Sequence, residues 1–189
     1  PGRIAKAYST ESGKEIYRID RHTDWVTAIA FSPDGTQVAT GDRAGNLYLS
    51  SADSGGILLS LASHKGSVRG LAWRSDGKVV ASAGDDGRLI WWNAETGFVA
   101  MQSTNGHTPP RPEGFSGKLQ SGVLSVRFRK DGGLISSGRD NRVKAWRTSS
   151  DQTGSLIIEK GIPIEATVDY SNKKIIIGDT LGHIHFWKQ

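Results

Sequence analysis

An apolar run cut off by a tight turn occurs four times in this chain: AFSPDG at 30–35, AWRSDG at 72–77, RFRKDG at 127–132 and, in a reduced form, DYSNKK at 169–174. Aligning the aromatic residue that closes each run, Phe31, Trp73, Phe128 and Tyr170, gives spacings of 42, 55 and 42 residues. The long interval is one period plus 13, and the surplus sits between NGH (105–107) and GVLSVRF (122–128), where TPPRPEGFSGKLQS carries three Pro and two Gly and reads as an inserted loop. A fixed period of this size means that the chain is a row of equal units rather than one irregular domain.

Each unit reads as four short strands. In the second unit these are SVRGLAW (67–73), KVVASAG (78–84), RLIWWN (88–93) and FVAMQS (98–103), separated by RSDG, DDG and AETG. The runs are too short for stable helices and rich in β-branched and aromatic residues, and Gly or Asp-Gly at their ends supplies the positive φ that tight turns need. Glycine fills 24 of 189 positions, roughly twice the average ~7% usage, as many turns require. One such sheet has two apolar faces and nothing of its own to cover them, so neighbouring units must stack face to face. Stacked radially, they form an all-β propeller of four-stranded antiparallel blades, about four per chain.

Bulk chemistry narrows the function. With no Cys there is no disulfide, zinc-thiolate site or thiol nucleophile, and the compartment stays open. No run approaches ~18 apolar residues, so no membrane span is expected, and PGRIAKAYST has neither a starting Met nor an apolar signal core, which suggests an excised segment. The net charge of +5 is dispersed rather than gathered in a run, which describes a solvated surface and sets nucleic acid aside as a partner.

The second unit, SHKGSVRGLAWRSDGKVVASAGDDGRLIWWN, resembles the WD-repeat family of β-propellers, and the likeness covers nearly the whole chain. That resemblance implies a buried His, Ser or Thr, Asp and Trp joined by hydrogen bonds in each blade. By position these are His64, Ser82, Asp86 and Trp92, and in the third unit His107, Ser136, Asp140 and Trp146. Such a set is structural chemistry, since a buried carboxylate and imidazole are costly unless each is partnered. A catalytic triad would need an exposed Ser beside an oxyanion hole and would not occur once per repeat, so the chain is read as no enzyme. Two units depart from the pattern. The first keeps His22 and Thr40 but has Ala44 and Ser50 at the Asp and Trp positions, and the fourth has Gly161, Ile177 and Leu181, keeping only Trp187. Both are therefore expected to lack the polar chain and to fray first.

The organisation expected is one propeller segment: 1–21 completing an adjacent blade, blades at 22–63, 64–106 and 107–160 (with the inserted loop at about 108–121), and an incomplete blade at 161–189. An arc of four blades leaves apolar end faces and open edges, to be filled by the remainder of a longer propeller or by a second copy in an eight-bladed ring, that is, a homo-oligomer. In the family, the binding end is lined by residues flanking the first Val of strand one and by the residue before the Asp. Carried over, these are Trp25, Thr27 and Arg43; Ser67, Arg69 and Asp85; Gly122, Leu124 and Arg139; Ile164, Ala166 and Thr180. Trp25, Arg43, Arg69 and Arg139 are the favoured contacts, for a protein or peptide of acidic character.

Other motifs carry less. TPPRP (108–112) has the shape of a polyproline ligand but is accounted for as a stiffened loop. GDRAGN lacks phosphate-loop spacing and no G-K-[ST] occurs, so no nucleotide or other cofactor is assigned. His183 and His185 share one face of a strand, yet no third ligand is evident in sequence and no metal is assigned. The leading reading is a non-catalytic protein-interaction scaffold within a larger protein. The alternatives are a purely architectural, self-assembling propeller fragment, or a regulatory or substrate-presenting domain beside an enzyme.

Overall fold

A computed structural model describes residues 2–61, 64–108, 122–169 and 173–188. All regular elements among them are antiparallel strands, so no helix is long and apolar enough to cross a membrane. A hairpin, β1 (Ala5–Tyr8) and β2 (Glu15–Ile19), precedes four sheets taken in chain order. The first sheet is β3 (Val26–Phe31), β4 (Gln37–Asp42), β5 (Leu47–Ser51) and β6 (Ile57–Ser60), and the second is β7 (Val68–Trp73), β8 (Val79–Gly84), β9 (Leu89–Asn93) and β10 (Val99–Ser103). The third is β11 (Val123–Phe128), β12 (Leu134–Gly138), β13 (Arg142–Trp146) and β14 (Gln152–Ile157). The fourth has three strands, β15 (Pro163–Val168), β16 (Lys174–Asp179) and β17 (Ile184–Lys188). The protein is thus an all-β propeller segment.

The Asp-Gly turns explain the recurring stop signal. Asp34 Oδ1 accepts from the Ser32 hydroxyl at 2.6 Å and the Thr36 amide at 3.0 Å, and Asp76 and Asp131 accept amides of Lys78 and Gly133 in the same way, both at 3.0 Å. The glycine that follows each Asp, such as Gly77 at φ 70°, takes the left-handed conformation that lets the chain reverse.

Alternation along each strand sends neighbouring side chains to opposite faces. In the second sheet Val80, Ile90 and Trp92 pack on Ala39, Leu47 and Leu49 of the first sheet. Their neighbours Ala81, Leu89 and Trp91 pack instead on Val123, Val126, Leu134 and Trp146 of the third. A third cluster joins Ile135, Val143 and Ala145 to Ala166, Ile175 and Ile177 of the fourth sheet. The first strands, β3, β7, β11 and β15, lie side by side and are cross-linked: Thr27 Oγ1 donates to the Val68 carbonyl at 2.6 Å, Trp73 Nε1 to the Ala30 carbonyl at 3.0 Å, and the Ala166 amide to Ser125 Oγ at 3.1 Å. A Cβ on Gly41 would stand 2.6 Å from Val68 Cγ1, so the first two sheets approach where a side chain is missing.

The end faces of the stack differ from the faces within it. Ile29 and Phe31 are more than half exposed on β3, as are Ile184 and Phe186 on β17, while alternate residues of the same strands are half-buried.

The last repeat is set two residues earlier than its aromatic suggests. Pro163 pairs with Asp179 as Val26 does with Asp42 and Val68 with Gly84, and Val168 pairs with Ile175 as Phe31 does with Val38. Val168, rather than Tyr170, therefore closes the fourth run. Tyr170 itself lies outside the described residues, as does the PPRP segment of the inserted loop.

Trp91 is fully buried between the second and third sheets, edge-on to Trp146 at 6.3 Å between ring centroids. Trp91→Ala is expected to cost about 3–5 kcal/mol in urea unfolding, the range for large buried aromatics; a loss below about 1 kcal/mol would show that this inter-sheet core is not a main source of stability.

Candidate functional site: the rim turns and the polar chains beneath them

Each hairpin between the second and third strands of a sheet is held to the loop before the first strand by one repeated bond. Arg43 N–H donates to the Trp25 carbonyl at 2.9 Å, Asp85 to Ser67 at 2.9 Å, Arg139 to Gly122 at 3.0 Å and Thr180 to Ile162 at 3.0 Å. The four turns are therefore equivalent positions on one rim.

Beneath the second turn, His64 Nδ1 lies 3.0 Å from Asp86 Oδ1 and His64 Nε2 lies 2.7 Å from Ser82 Oγ, which also accepts from Trp92 Nε1 at 2.9 Å. Beneath the third, the same contacts are 2.6 Å (His107 to Asp140), 2.7 Å (His107 to Ser136) and 2.8 Å (Trp146 to Ser136). The donors are consumed once each if the ring is neutral with its proton on Nδ1: indole N–H to hydroxyl, hydroxyl to Nε2, and Nδ1–H to carboxylate. Burial pushes the His107 ring down against the pull of Asp140, which favours that neutral form. Burial is the largest single influence on Asp86 and Asp140 and pushes both up, but the histidine contacts, together with the Lys65 and Arg88 amides at Asp86 and with Lys144 at Asp140, sum to hold both carboxyls below the usual range. In the third sheet Lys144, itself buried, adds an ion pair to Asp140 at 3.2 Å and a bond to the Gly106 carbonyl at 2.7 Å. The serines of these chains are fully buried and bonded on both sides, an arrangement that holds a turn and offers no exposed nucleophile.

The first sheet does not lack its polar chain. Asp42, two residues before Ala44, places Oδ2 3.1 Å from His22 Nδ1, and His22 Nε2 lies 2.9 Å from Thr40 Oγ1. The reason is geometric. Asp42 holds the strand position of Gly84, where an added Cβ would stand 2.3 Å from His64 Nδ1 and 2.6 Å from Asp86 Oδ1. A side chain there points into the carboxylate's place. Asn46 completes the shell with its amide on Oδ1 and its Nδ2 on Oδ2, each at 2.9 Å, and Tyr48 packs edge-on to His22 at 4.9 Å.

The fourth sheet repeats the exchange with Asp179, paired in register with Pro163 as Asp42 is with Val26. Its carboxylate receives the Leu181 and His183 amides on Oδ1 at 2.8 and 3.0 Å, and His183 Nδ1 and His185 Nε2 face Oδ2 at 3.2 and 2.8 Å. The His185 bond leads the causes that hold Asp179 far below the ordinary carboxylate range. Asp179 is thus the third polar group beside His183 and His185 that sequence did not reveal.

The rim residues divide. Trp25 is 44% exposed, with the Arg43 guanidinium 5.4 Å from its ring centroid. Arg69 donates to Asp85 Oδ2 from Nε at 2.9 Å and from Nη2 at 2.7 Å, and Asp85 raises the Arg69 pKa. Arg139 Nε stands 3.9 Å from the other oxygen of Asp85. Thr27, Arg69 and half-buried Leu124 line a groove of about 200 Å³ along the innermost strands, which the Arg127–Glu165 pair at 3.2 Å also borders. Ser67 is buried and presents no surface. Ala166 is likewise buried, packed in the third core; in the fourth sheet the residues flanking the first-strand position are Ile162 and Ile164.

Repeated antiparallel sheets, stacked on shared cores and pinned at one rim by buried His–Asp chains, define a β-propeller built from sequence repeats. The profile of the WD domain, G-beta repeat (WD40) matches residues 13–49, 55–93 and 113–147, more than half of the chain, and the protein belongs to that family. Members of this family typically serve as non-catalytic scaffolds for protein interaction. A crystal structure of the computationally designed Ika8 protein is similar in fold, with a TM-score of 0.78 and 19% identity over 97% of this chain and 52% of that one. The chain thus spans about half the length of that designed protein. No curated protein matches the sequence significantly.

The carboxylate exchange makes a reciprocal test. Asp42→Gly is expected to destabilise the protein by about 2–4 kcal/mol by leaving His22 without its partner. Adding Ala44→Asp to it recreates the arrangement of the second sheet, and should recover at least about half of that loss in urea unfolding; no recovery would show that the two positions are not interchangeable.

Proposed function

We propose that this segment is a non-catalytic WD-repeat scaffold that binds an acidic protein or peptide segment at the rim carrying Trp25, Arg43, Arg69 and Arg139. The observation that carries the proposal is the convergence of Arg69 and Arg139 on one Asp85, beside the groove that Thr27 and Leu124 line. Two guanidinium groups share a single carboxylate, which leaves donor capacity for further carboxylates. The half-exposed Trp25 with Arg43 over its ring offers a flat apolar anchor of the kind that dominates interfaces. Ser67 contributes through its backbone carbonyl, which fixes the Asp85 turn.

Replacing Arg43, Arg69 and Arg139 together by Ala should weaken binding of Asp/Glu-rich peptides at least about tenfold, while thermal stability changes little because exposed ion pairs contribute about 1 kcal/mol or less. Undiminished peptide binding would remove the rim from consideration.

The second part of the reading concerns completion of the ring. The exposed apolar rows on β3 and β17, together with a two-stranded hairpin at one end and a three-stranded sheet at the other, support a segment of a longer propeller. On this reading 1–21 completes an adjacent blade, 22–63, 64–106 and 107–160 are blades, and 161–189 is a blade awaiting its outer strand. A second copy closing an eight-bladed ring, with no specific rim ligand, is the architectural alternative. Light scattering of the 189-residue chain over a roughly tenfold concentration range separates them. A mass that rises with concentration is expected for missing blades, and a constant mass near twice 20.4 kDa would favour the second copy; a constant monomer would overturn both.

A further inference from the structure

We infer that Asp179, His183 and His185 form a binding site for a borderline divalent transition-metal ion, of which Zn²⁺ is the representative. The donor atoms of the three residues all lie within 4.8 Å of one another. Asp179 Oδ2 is 3.2 Å from His183 Nδ1 and 2.8 Å from His185 Nε2. Ligands at ordinary zinc distances of about 2.0–2.2 Å stand about 3.3 Å apart around a tetrahedral ion. The two separations to Asp179 Oδ2 are close to that value, and the two ring nitrogens, within 4.8 Å of each other, are brought to it by rotation of the half-exposed rings.

Comparison with the first sheet shows why this is more than another polar chain. There the Asp42 carboxylate is saturated on Oδ2 by one imidazole, the Thr23 amide and the Asn46 side chain. In the fourth sheet both amide donors, from Leu181 and His183, go to Oδ1, and among the described residues Oδ2 meets only the two imidazole nitrogens. His183 stands where Asn46 does and His185 where Tyr48 does, one side chain donating to the carboxylate and the other packing on the ring of the first chain. Gly161 approaches Asp179 from the loop side, where a Cβ would stand 3.0 Å from its Cγ, so no side chain enters from there.

The result is two nitrogens and one oxygen around a common point. The carboxylate is 0% exposed and anchored by two backbone amides, His185 is one-third exposed and His183 61% exposed. The exposure of the two rings leaves an outer side of the site open, among the described residues, to a water or a fourth ligand. Two imidazoles with one carboxylate suit Zn²⁺, Ni²⁺, Co²⁺ or Cu²⁺ over Mg²⁺ or Ca²⁺, which prefer oxygen shells. Metal bound here would tie the end of β16 to the turn and to β17 within one hairpin, whereas the imidazole chains of the other sheets tie the turn to the loop before the first strand.

The test is calorimetric titration of the chelator-treated 189-residue chain with Zn²⁺, beside His183→Gln, His185→Gln and the double variant. One equivalent of Zn²⁺ should bind the parent chain and raise its Tm, with affinity falling at least about tenfold in each single variant. The exposed position of His183 makes His183→Gln the variant that retains the fold, which far-ultraviolet circular dichroism checks. Co²⁺ should give a visible absorption band in the parent chain that His183→Gln loses. Failure to bind Zn²⁺, or binding equal in the parent and the double variant, would overturn the site.

Discussion

Every sheet of this protein has two apolar faces and must hand each to a neighbour. That constraint accounts for the alternation along β8 and β9, where Val80, Ile90 and Trp92 belong to one core and Ala81, Leu89 and Trp91 to the next. Stability in such a stack comes from interfaces between units rather than from any unit alone. It also makes the ends the distinctive places. Ile29 and Phe31 at one end, and Ile184 and Phe186 at the other, carry the same alternation as interior strands but lack the sheet that would use it.

Apolar faces alone would let neighbouring sheets slide or splay. Bonds between first strands, such as Thr27 to Val68 and Trp73 to Ala30, resist that sliding. Within each of the first three sheets the buried polar chain fixes the turn against the loop arriving from the preceding sheet, because an imidazole between a carboxylate and a hydroxyl satisfies its donors and acceptors in few orientations. The conserved quantity among the repeats is the place of the carboxylate rather than its residue number. Asp86 and Asp140 reach that place from the turn; Asp42 and Asp179 reach it from the last residue of the preceding strand. The exchange requires Gly wherever the turn supplies the acid, since a Cβ on Gly84 or Gly138 would collide with the imidazole. Once the acid moves onto the strand, the residue four positions later becomes its neighbour, which is Asn46 in one sheet and His183 in the other.

The repeat was legible because Asp-Gly turns and strand alternation are local signals, and they set the strand content of every sheet. The fourth run was misread by two residues because Tyr170 offered an aromatic landmark that Val168 fills in the actual register. That slip carried Ala166 onto the rim, whereas it is buried in a core. The acids of the first and fourth sheets were missed because a motif asks for Asp at a fixed position. The signal was present: TGDRAGN and IGDTLGH share Gly-Asp followed two residues later by a non-acidic residue. Any side chain at the Gly84 position points into the carboxylate's place, so an Asp there can supply the acid. Burial of Ser67, by contrast, follows from how the loop packs and leaves no mark in sequence.

Placing the carboxylate on the strand also changes what the rim can present. In the second sheet the acid belongs to the turn itself, and the residue before it, Asp85, is drawn into pairing with Arg69 and Arg139. In the first sheet the acid lies beneath the turn, bonded to His22 and Asn46, and Arg43 at the equivalent rim position rests on the Trp25 ring. The fourth sheet carries Thr180 there, with its hydroxyl accepting the Ile162 amide at 3.0 Å. The four equivalent rim positions thus carry three side-chain types, Arg (Arg43 and Arg139), Asp (Asp85) and Thr (Thr180), on a backbone whose turn bonds match within 0.1 Å. A rigid scaffold with independently variable turn chemistry can acquire a ligand at one blade without disturbing the next.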